Sequence, residues 1–275
     1  MVAAVSGRLK AWWARCAFRE HLAALVGMGV GKDLIFVPEL VSGPKGRRAV
    51  VLSPHCDDET IGMGGLLRRH GAAGDPVTVV HFTGSESAAA VAAYAPGTRE
   101  AEARRAAAVL GLSDLVFLGE PDRGVRSHPA LVDRLAGLMR EKRPETVYLP
   151  WFLDNHVDHV GVNLAFRDAW EKWRGRCVVW AYEVWSPLFP NRVVDITAEV
   201  EWKKRALAEY SSQQADLDYV SVSLALNRYR AGLRMGGRGY AEVFLSMEAS
   251  EYLDLLRRWQ ALRRGDQPEG GGGWR

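Results

Sequence analysis

Apolar, β-branched runs recur along this chain up to residue 185, and helical patterns fill the segments between them. The runs are RRAVVLS (47–53), PVTVVHFT (76–83), DLVFLG (114–119), TVYLP (146–150) and CVVWAYEVW (177–185). The intervening segments end at glycine or proline, as helices do. Strands that alternate with helices form a mostly parallel sheet covered by helices on both faces. The sequence therefore predicts an α/β fold.

The pattern changes after Trp185. It predicts helices at 198–213, 217–233 and 251–265, with a late strand, YAEVFLSM, at 240–247. We expect one main domain at 47–265, preceded by an N-terminal helical extension at 1–46 and followed by a flexible, glycine-rich tail at 266–275. The extra C-terminal helices and the late strand belong to the main domain in this interpretation.

Net charge and cysteine content bear on the binding partners and the cellular location of the protein. The formal net charge is +3 and is spread along the chain, which argues against a nucleic-acid partner. The chain has an odd number of cysteines, Cys16, Cys56 and Cys177, and they lack C-x-x-C spacing. This pattern is not typical of a disulfide framework or of a cysteine zinc site, so we expect a reducing, cytoplasmic location. No apolar run reaches the roughly 18 residues that a membrane span needs. The amphipathic N-terminal segment leaves membrane-surface binding open as an alternative to packing on its own domain.

Two clusters of histidine and carboxylate side chains follow predicted strands, the first immediately and the second after a few residues. The carboxyl ends of parallel strands lie on one edge of a sheet, and ligands bind beyond that edge. We therefore expect the two clusters to converge there. They comprise His55, Asp57, Asp58 and Glu59 after the first strand, and Asp154, His156, Asp158 and His159 after the fourth.

The residue types in these clusters suit a catalytic metal. His55, Asp58 and His159 would give Zn²⁺ two nitrogen ligands and one oxygen ligand, and would leave one position open. Water bound there would have its pKa lowered toward roughly 7, and Asp57 could accept its proton as a general base. Two imidazoles and a carboxylate also accept Fe²⁺ or another divalent metal.

The remaining residues of the second cluster complete an arrangement suited to amide hydrolysis. His156 would face the other side of the reacting carbonyl, where in its protonated form it would stabilise an oxyanion or protonate the leaving amine. Asp158 would orient a histidine. A simpler interpretation is that the carboxylates only cap helix N-termini, and for Glu59 we favour capping or holding a ligand over chemistry.

The two clusters resemble known signatures. PHCDDE (54–59) and HVDH (156–159) are similar to the motifs [AP]-H-P-D-D-E and H-x-D-H of the PIG-L/LmbE family of zinc-dependent N-acetylglucosaminyl deacetylases. The resemblance extends from about residue 47 to 246 and includes TREAEARRAAAVLG (98–111), with weaker matches at EYSSQ (209–213) and YAEVF (240–244). It implies a Rossmann-like fold and zinc held by His55, Asp58 and His159. It also implies that Asp57 is the base, that His156 is its electrostatic or acid partner, and that an N-acetylated amino sugar is the substrate.

The sequence departs from the family pattern at two places. Cys56 replaces the usual proline, which raises the alternative of a cysteine nucleophile; its acidic neighbours argue against a reactive thiol. FTGSES replaces the usual T-D-G-E, so the family's contacts do not carry over to that loop, although Thr83 and Ser85 could bind hydroxyls.

Substrate contacts are expected from residues around the two clusters. Arg99, which matches the family arginine, would grip a hydroxyl or a phosphate. Trp151 and Asp154 lie between the fourth strand and HVDH, and we expect them to shape the pocket wall. Trp185 and Phe189 are further candidates beyond the fifth strand.

Three rival functions remain open at this stage. A sugar-binding module of the same fold would lack catalysis, and a related zinc amidohydrolase would cleave a non-sugar or antibiotic amide. A nucleotide-binding oxidoreductase fits less well, because GMGG (62–65) lacks the G-x-G-x-x-G spacing and lies inside a predicted helix. The oligomeric state is undetermined, and a homo-oligomer remains an option.

Overall fold

The structure, a computed structural model, describes residues 38–84, 95–214 and 217–264. The predicted tail at 266–275 and residues 1–37 of the predicted N-terminal extension lie outside the described residues, as does Ser85. Within the described part, no helix is long and apolar enough to cross a membrane.

The described residues form one sheet and a set of helices. The strands are β1 (Glu39–Val41), β2 (Ala49–Ser53), β3 (Val77–Thr83), β4 (Asp114–Glu120), β5 (Thr146–Pro150), β6 (Val178–Tyr182), β7 (Arg192–Asp195) and β8 (Ala241–Glu248). The helices are α1 (Asp58–Ala73), α2 (Thr98–Leu110), α3 (Pro129–Lys142), α4 (Val157–Trp173), α5 (Val200–Ala208), α6 (Ser211–Gln214), α7 (Tyr219–Arg230) and α8 (Ala249–Arg264). A compact unit ends at Glu248, and α8 belongs to a separate unit.

The strand order is β1-β7-β8-β6-β5-β2-β3-β4. β8 runs antiparallel to both of its neighbours, and all other pairs are parallel. From β2 the chain proceeds outward to β3 and β4, and it then returns to β5 on the other side of β2. The direction of winding therefore reverses between β2 and β5. This reversal opens a crevice at the carboxyl ends of these two strands, where sheets of this kind bind ligands.

Helices cover both faces of the sheet. One core contains Val51 of β2 and Val79 of β3, together with buried apolar residues of α1, α2 and α5. The alternate residues of β2, Val50 and Leu52, point to the opposite face, where α3 and α4 supply buried side chains such as Leu135. The expected α/β architecture is confirmed.

Helix α1 is interrupted near its first turn. Met63 has φ −148° and ψ 23°, which breaks the ladder of backbone hydrogen bonds. Two buried side chains replace the missing partners: Glu242 accepts from the Gly65 amide at 2.8 Å, and Lys203 donates to the Ile61 carbonyl at 2.7 Å. Lys203 Nζ also lies 2.8 Å from Glu242 Oε1, and neither side chain is exposed. The ion pair therefore fixes the first turn of α1 relative to α5 and β8.

Three expectations differ from the observed elements. The sheet starts at Glu39, ahead of the expected domain boundary after residue 46, because β1 is a three-residue strand that gives no periodic signal. β7 was missed for the same reason, at four residues. The helix expected over 198–213 is two helices, α5 and α6, separated at 209–210.

Candidate metal centre and active site

The two clusters predicted from the sequence lie together at the crevice between β2 and β5. β2 ends at Ser53 and β5 at Pro150, and the clusters occupy the loops that follow and the first turns of α1 and α4. Parallel pairing of β2 with β5 brings these two loops side by side. The convergence expected from the strand ends is therefore present.

The Asp58 carboxylate joins the two clusters. Its Oδ2 lies 2.9 Å from His55 Nδ1 and 3.1 Å from His159 Nε2. Burial opposes ionisation, but the charges of His159 and His55 hold the pKa of Asp58 well below its usual range. The two histidines predicted as metal ligands thus both face the same oxygen atom of the third predicted ligand, Asp58.

Asp158 stands behind His55 on the side away from Asp58. Its Oδ2 lies 3.1 Å from His55 Nε2 and accepts from the Arg123 amide at 2.7 Å, while its Oδ1 accepts from the Val125 amide at 3.0 Å. The carboxylate is fully buried. These contacts tie the loop after β4 to the site, and they would allow Asp158 to orient the His55 ring, the role predicted for it from the sequence.

Asp154 has the corresponding position behind His159. Its Oδ1 lies 3.4 Å from His159 Nδ1, and its Oδ2 accepts from the backbone amides of Trp185 and Ser186 at 2.9 and 3.2 Å. The side chain is not exposed. The sequence placed Asp154 on a substrate-facing wall, whereas these contacts place its carboxylate behind a histidine.

Asp57 begins α1 beside the ligand cluster. Burial and the neighbouring Asp58 charge raise its pKa to about 7, although His55 and Arg99 act in the opposite direction. A carboxyl group with this pKa can both accept and release a proton near neutrality. The environment of Asp57 is therefore suited to the general-base role predicted for it.

His156 caps α4 and faces His55. Its Nδ1 accepts from the Asp158 amide at 3.2 Å, so the neutral ring carries its proton on Nε2. The two rings meet edge to face with centroids 4.5 Å apart. Burial and the charges of His55 and His159 lower the pKa of His156. This favours a neutral Nε2–H donor over the protonated form considered from the sequence.

The donor set fits a divalent metal. Both ring nitrogens of His159 are buried and make no hydrogen bond of good geometry among the described residues. Burial disfavours a charged imidazole, yet Asp58 and Asp154 raise the pKa of His159 to about 9. His55 behaves in the same way: burial opposes its charge, but Asp58, Asp122 and Asp158 raise its pKa well above the ordinary value. The cluster thus favours positive charge, which a cation would supply in place of these protons.

Within the described residues, the possible ligand atoms fall into two overlapping groups. The first group is His55, His156 and His159, and the second is His55, Asp122, His156 and Asp158. Two of the three predicted ligands, His55 and His159, are in the first group. Asp58 contacts both of these histidines at the distances given above.

The other residues predicted to contact substrate differ in how exposed they are and in how close they lie to the site. Arg99 begins α2 close enough to Asp57 to lower its pKa, and its Nε is buried without a hydrogen bond among the described residues. Trp151 is 2% exposed and packs against Phe152, with ring centroids 4.4 Å apart. Trp185 and Phe189 are exposed, at 40% and 61%. Arg99 thus lies near the site, whereas the Trp151 side chain is in the core.

Cys56 and Glu59, two residues of PHCDDE for which no metal-binding or proton-transfer role is expected, make contacts with the surrounding protein. The Cys56 thiol donates to the Thr83 carbonyl at 3.6 Å, and burial raises its pKa well above the ordinary value, which disfavours a reactive thiolate. Glu59 is buried and accepts from the hydroxyls of Ser53 and Tyr210, both at 2.8 Å. It therefore holds the helix start to its surroundings.

The GMGG segment lies inside α1. A side chain at Gly62 would meet the Tyr182 ring at 2.4 Å, and one at Gly65 would meet Ile196 at 2.6 Å. These glycines allow close packing of α1 on the sheet. This does not support the nucleotide-binding alternative.

Asp122 also lies at the site, although it was not predicted from the sequence. Its Oδ1 lies 3.4 Å from His55 Nε2, and its side chain is 21% exposed. Asp122 closely follows β4, the third predicted strand, so its position at a strand end is the sequence signal that points to it. The sequence PDRG around it reads more simply as a turn.

Together, the fold and this cluster define a Rossmann-like α/β protein with a candidate divalent-metal site at the switch point of its sheet. Residues 50–170 match the model of the PIG-L family, described as GlcNAc-PI de-N-acetylase. Over these residues the chain is similar to the PIG-L/LmbE family, so the resemblance drawn from PHCDDE and HVDH is confirmed.

Known relatives are similar over parts of the chain. The 1D-myo-inositol 2-acetamido-2-deoxy-alpha-D-glucopyranoside deacetylase of Thermobifida fusca (strain YX) is 32% identical over 147 residues, which cover 42% of this chain and 51% of the relative. The chain thus spans about half the length of this curated relative.

Solved structures share the fold. A conserved protein of Thermus thermophilus matches with a TM-score of 0.63 and 28% identity, covering 72% of this chain and 94% of the other. The N,N'-diacetylchitobiose deacetylase of Pyrococcus horikoshii matches with a TM-score of 0.63 and 21% identity, covering 76% and 86%. At that identity the second match supports the fold and nothing further.

Proposed function

We propose that this protein is a metal-dependent deacetylase that hydrolyses the N-acetyl group of an amino sugar, such as an N-acetylglucosaminide. One observation carries the proposal: Asp58 Oδ2 lies within 3.1 Å of imidazole nitrogens from both signature motifs, at the switch point of the sheet. The named activity of the Thermobifida fusca relative, which removes an acetyl group from a glucosaminyl inositol, supports the substrate class.

His55, Asp58 and His159 would hold the metal, and Asp154 and Asp158 would orient the two histidines. A divalent metal in that position supplies Lewis-acid chemistry, which polarises an amide carbonyl and makes water more acidic. Zn²⁺ is our first choice, and Fe²⁺ suits the same ligands.

Asp57 takes the proton from the attacking water. The water oxygen bonds to the acetyl carbon, and His156 donates a hydrogen bond from Nε2–H to the carbonyl oxygen as negative charge develops on it. The carbon–nitrogen bond then breaks, and the proton held by Asp57 passes to the amine nitrogen. Acetate and the free amino sugar leave. Arg99 would bind a hydroxyl or a phosphate of the substrate beside this centre.

Acetate release tests the proposal. The purified chain would be stripped of metal with a chelator and reloaded with Zn²⁺. It would then be assayed on N-acetylglucosaminyl inositol, N,N'-diacetylchitobiose and an N-acetylated glycopeptide antibiotic. We expect metal-dependent acetate release from at least one sugar substrate. Release from the antibiotic but from neither sugar would support the alternative substrate class, and sugar binding without release would support a binding module.

A further inference from the structure

A buried hydrogen-bond cluster links α1, α2 and α6 next to the candidate site. We call it the Glu102 bracket, and its members are Glu59, Glu102, Tyr210, Ser211 and Ser212. The side chains of Glu102, Ser212 and Glu59 are buried in the same region of the fold. Most of its members lie in the segments TREAEARR and EYSSQ. Arg99 is the one residue of these segments that has a role in the proposed function.

Glu102 forms one end of the bracket. Its Oε1 accepts from the Ser211 hydroxyl at 2.9 Å and from the Ser212 amide at 2.8 Å, and its Oε2 accepts from the Ser212 hydroxyl at 2.6 Å. Three donors thus converge on one carboxylate that is 1% exposed. A buried carboxylate needs such partners, so the distance between α2 and α6 is tightly constrained.

Tyr210 forms the other end. Its hydroxyl donates to Glu59 Oε1 at 2.8 Å and lies 3.3 Å from Thr60 Oγ1. Glu59 also accepts from Ser53 at the end of β2. Since Tyr210 and Ser211 are adjacent in the chain, the first turn of α1 and the first turns of α2 are tied through one short segment.

The bracket joins the two helix starts that carry Asp57 and Arg99. Asp57 lies two residues before Glu59, and Arg99 lies one turn before Glu102 on α2. A more exposed ion pair also connects α2 to the segment before α6, because Arg105 Nε lies 2.9 Å from Glu209 Oε2. We propose that Glu102 and Ser212 are positioning residues that fix Arg99 relative to Asp57. This inference rests on the proposed role of Arg99 in binding substrate.

A double-mutant cycle tests whether the bracket acts through Arg99. The four proteins are the wild type, Ser212→Ala, Arg99→Ala and the double variant, each loaded with Zn²⁺ and assayed on the sugar from which the wild type releases acetate, N-acetylglucosaminyl inositol or N,N'-diacetylchitobiose. We expect Ser212→Ala to raise KM about 5-fold, the change that one ordinary hydrogen bond corresponds to, with little change in kcat. In the Arg99→Ala background, Ser212→Ala should change KM no further. An equal increase in both backgrounds, or none in the wild-type background, would overturn the proposal.

Thr78→Val provides the matched control. The Thr78 hydroxyl also donates to a carboxylate at 2.6 Å, that of Asp114, but at the opposite end of β3 from the site. It should lower stability without changing KM. A change in KM as large as that of Ser212→Ala would show that general destabilisation is the cause.

Hydrogen exchange examines the bracket without turnover. Ser212→Ala should speed amide exchange at residues 101–106 of α2 more than Thr78→Val does, and equal rates there would overturn the proposal. Absence of acetate release from the wild-type protein would instead overturn the proposed function, while the exchange result would still decide the bracket.

Discussion

Asp57 and Asp58 are adjacent in the chain but differ in their surroundings. Asp58 lies between two imidazoles, which hold its pKa low, whereas burial and the Asp58 charge raise the pKa of Asp57 to about 7. Two neighbouring carboxylates whose pKa values are pushed apart commonly have separate roles. This separation agrees with the proposed roles, in which Asp58 would bind the metal and Asp57 would transfer the proton.

Asp57→Asn tests that assignment. The amide keeps the shape of the side chain but cannot accept the proton from water, so kcat should fall by about 10²- to 10⁴-fold. Acetate release measured at saturating substrate gives kcat, and the bound metal is quantified on the same sample. A variant with bound metal and near-wild-type kcat would refute the general-base role.

Asp154→Asn tests the support of His159. The amide oxygen can still accept from the Trp185 and Ser186 amides, but the negative charge facing His159 Nδ1 is lost. We expect metal affinity to fall by about 10- to 100-fold, as when other carboxylate partners of metal-bound histidines are replaced. Zinc affinity is measured by competition with a chelating dye.

Asp168→Asn is the control, because Asp168 pairs with Arg167 and Ser127. Equal losses of zinc affinity in the Asp154 and Asp168 variants would contradict the proposed support of His159.

At the residue scale, the sequence predicted the cluster but not the direction in which each side chain faces. His55, Asp58 and His159 could be predicted as members of the cluster from their residue types and their positions after strands. The position of Asp154 behind His159 could not be predicted, since it depends on the amides of Trp185 and Ser186 in a loop distant in sequence. Asp122 was missed because its neighbours resemble an ordinary turn.

Helix α1 depends on a side-chain pair from two other elements. The break at Met63 leaves backbone groups that Lys203 of α5 and Glu242 of β8 satisfy. The helical periodicity of residues 59–72 gave no sign of this break, because its cause lies more than a hundred residues away in the chain. Buried ion pairs are weak evidence for stability as a pair, but removal of one member leaves a buried charge without its partner.

Lys203→Met should therefore be strongly destabilising. We expect a loss of about 3–5 kcal/mol in the free energy of unfolding, because Glu242 would remain buried without its cation. Chemical denaturation of the folded protein measures the loss. Lys204→Met is the matched control, since Lys204 is exposed and has only a 4.0 Å contact with Glu201. Similar stability of the two variants would show that the pair does not hold the kink.

A second buried chain of contacts links α1 to β5. His70 Nδ1 lies 2.9 Å from Asp75 Oδ2, and its Nε2 lies 2.8 Å from the Tyr148 hydroxyl. Burial lowers the pKa of His70, although Asp75 acts in the opposite direction. The folded protein therefore holds His70 neutral at a pH where the unfolded chain, with a pKa of about 6.5, begins to bind a proton.

His70 should make stability depend on pH. As the pH falls below about 6.5, the unfolded state gains a proton that the folded state does not, so the free energy of unfolding decreases until the pH reaches the folded pKa of His70. One proton corresponds to at most about 1.4 kcal/mol per pH unit. Urea denaturation between pH 7.5 and 5.5 should show a steeper loss for the wild type than for His70→Gln. Parallel curves would exclude His70 as the source.

At the scale of the whole molecule, the order of the strands creates the site. The motifs are separated by about a hundred residues of sequence, yet β2 and β5 are neighbours because the chain reverses its winding direction after β4. Alternating strands and helices were enough to predict a parallel sheet with ligands at its carboxyl edge. The late strand expected at 240–247 is present as β8, but its antiparallel direction and the short β1 and β7 were not predicted, because their pairing depends on tertiary contacts.

In the proposed function, two motifs that are distant in the sequence form one metal site. Zinc titration by calorimetry on the metal-free protein, with His55→Ala and His159→Ala alongside the wild type, tests this arrangement. We predict one tight equivalent of Zn²⁺ for the wild type and loss of that binding in each single variant, because each removes a ligand contributed by a different strand end. Tight binding of one equivalent with unchanged affinity in either variant would contradict the claim.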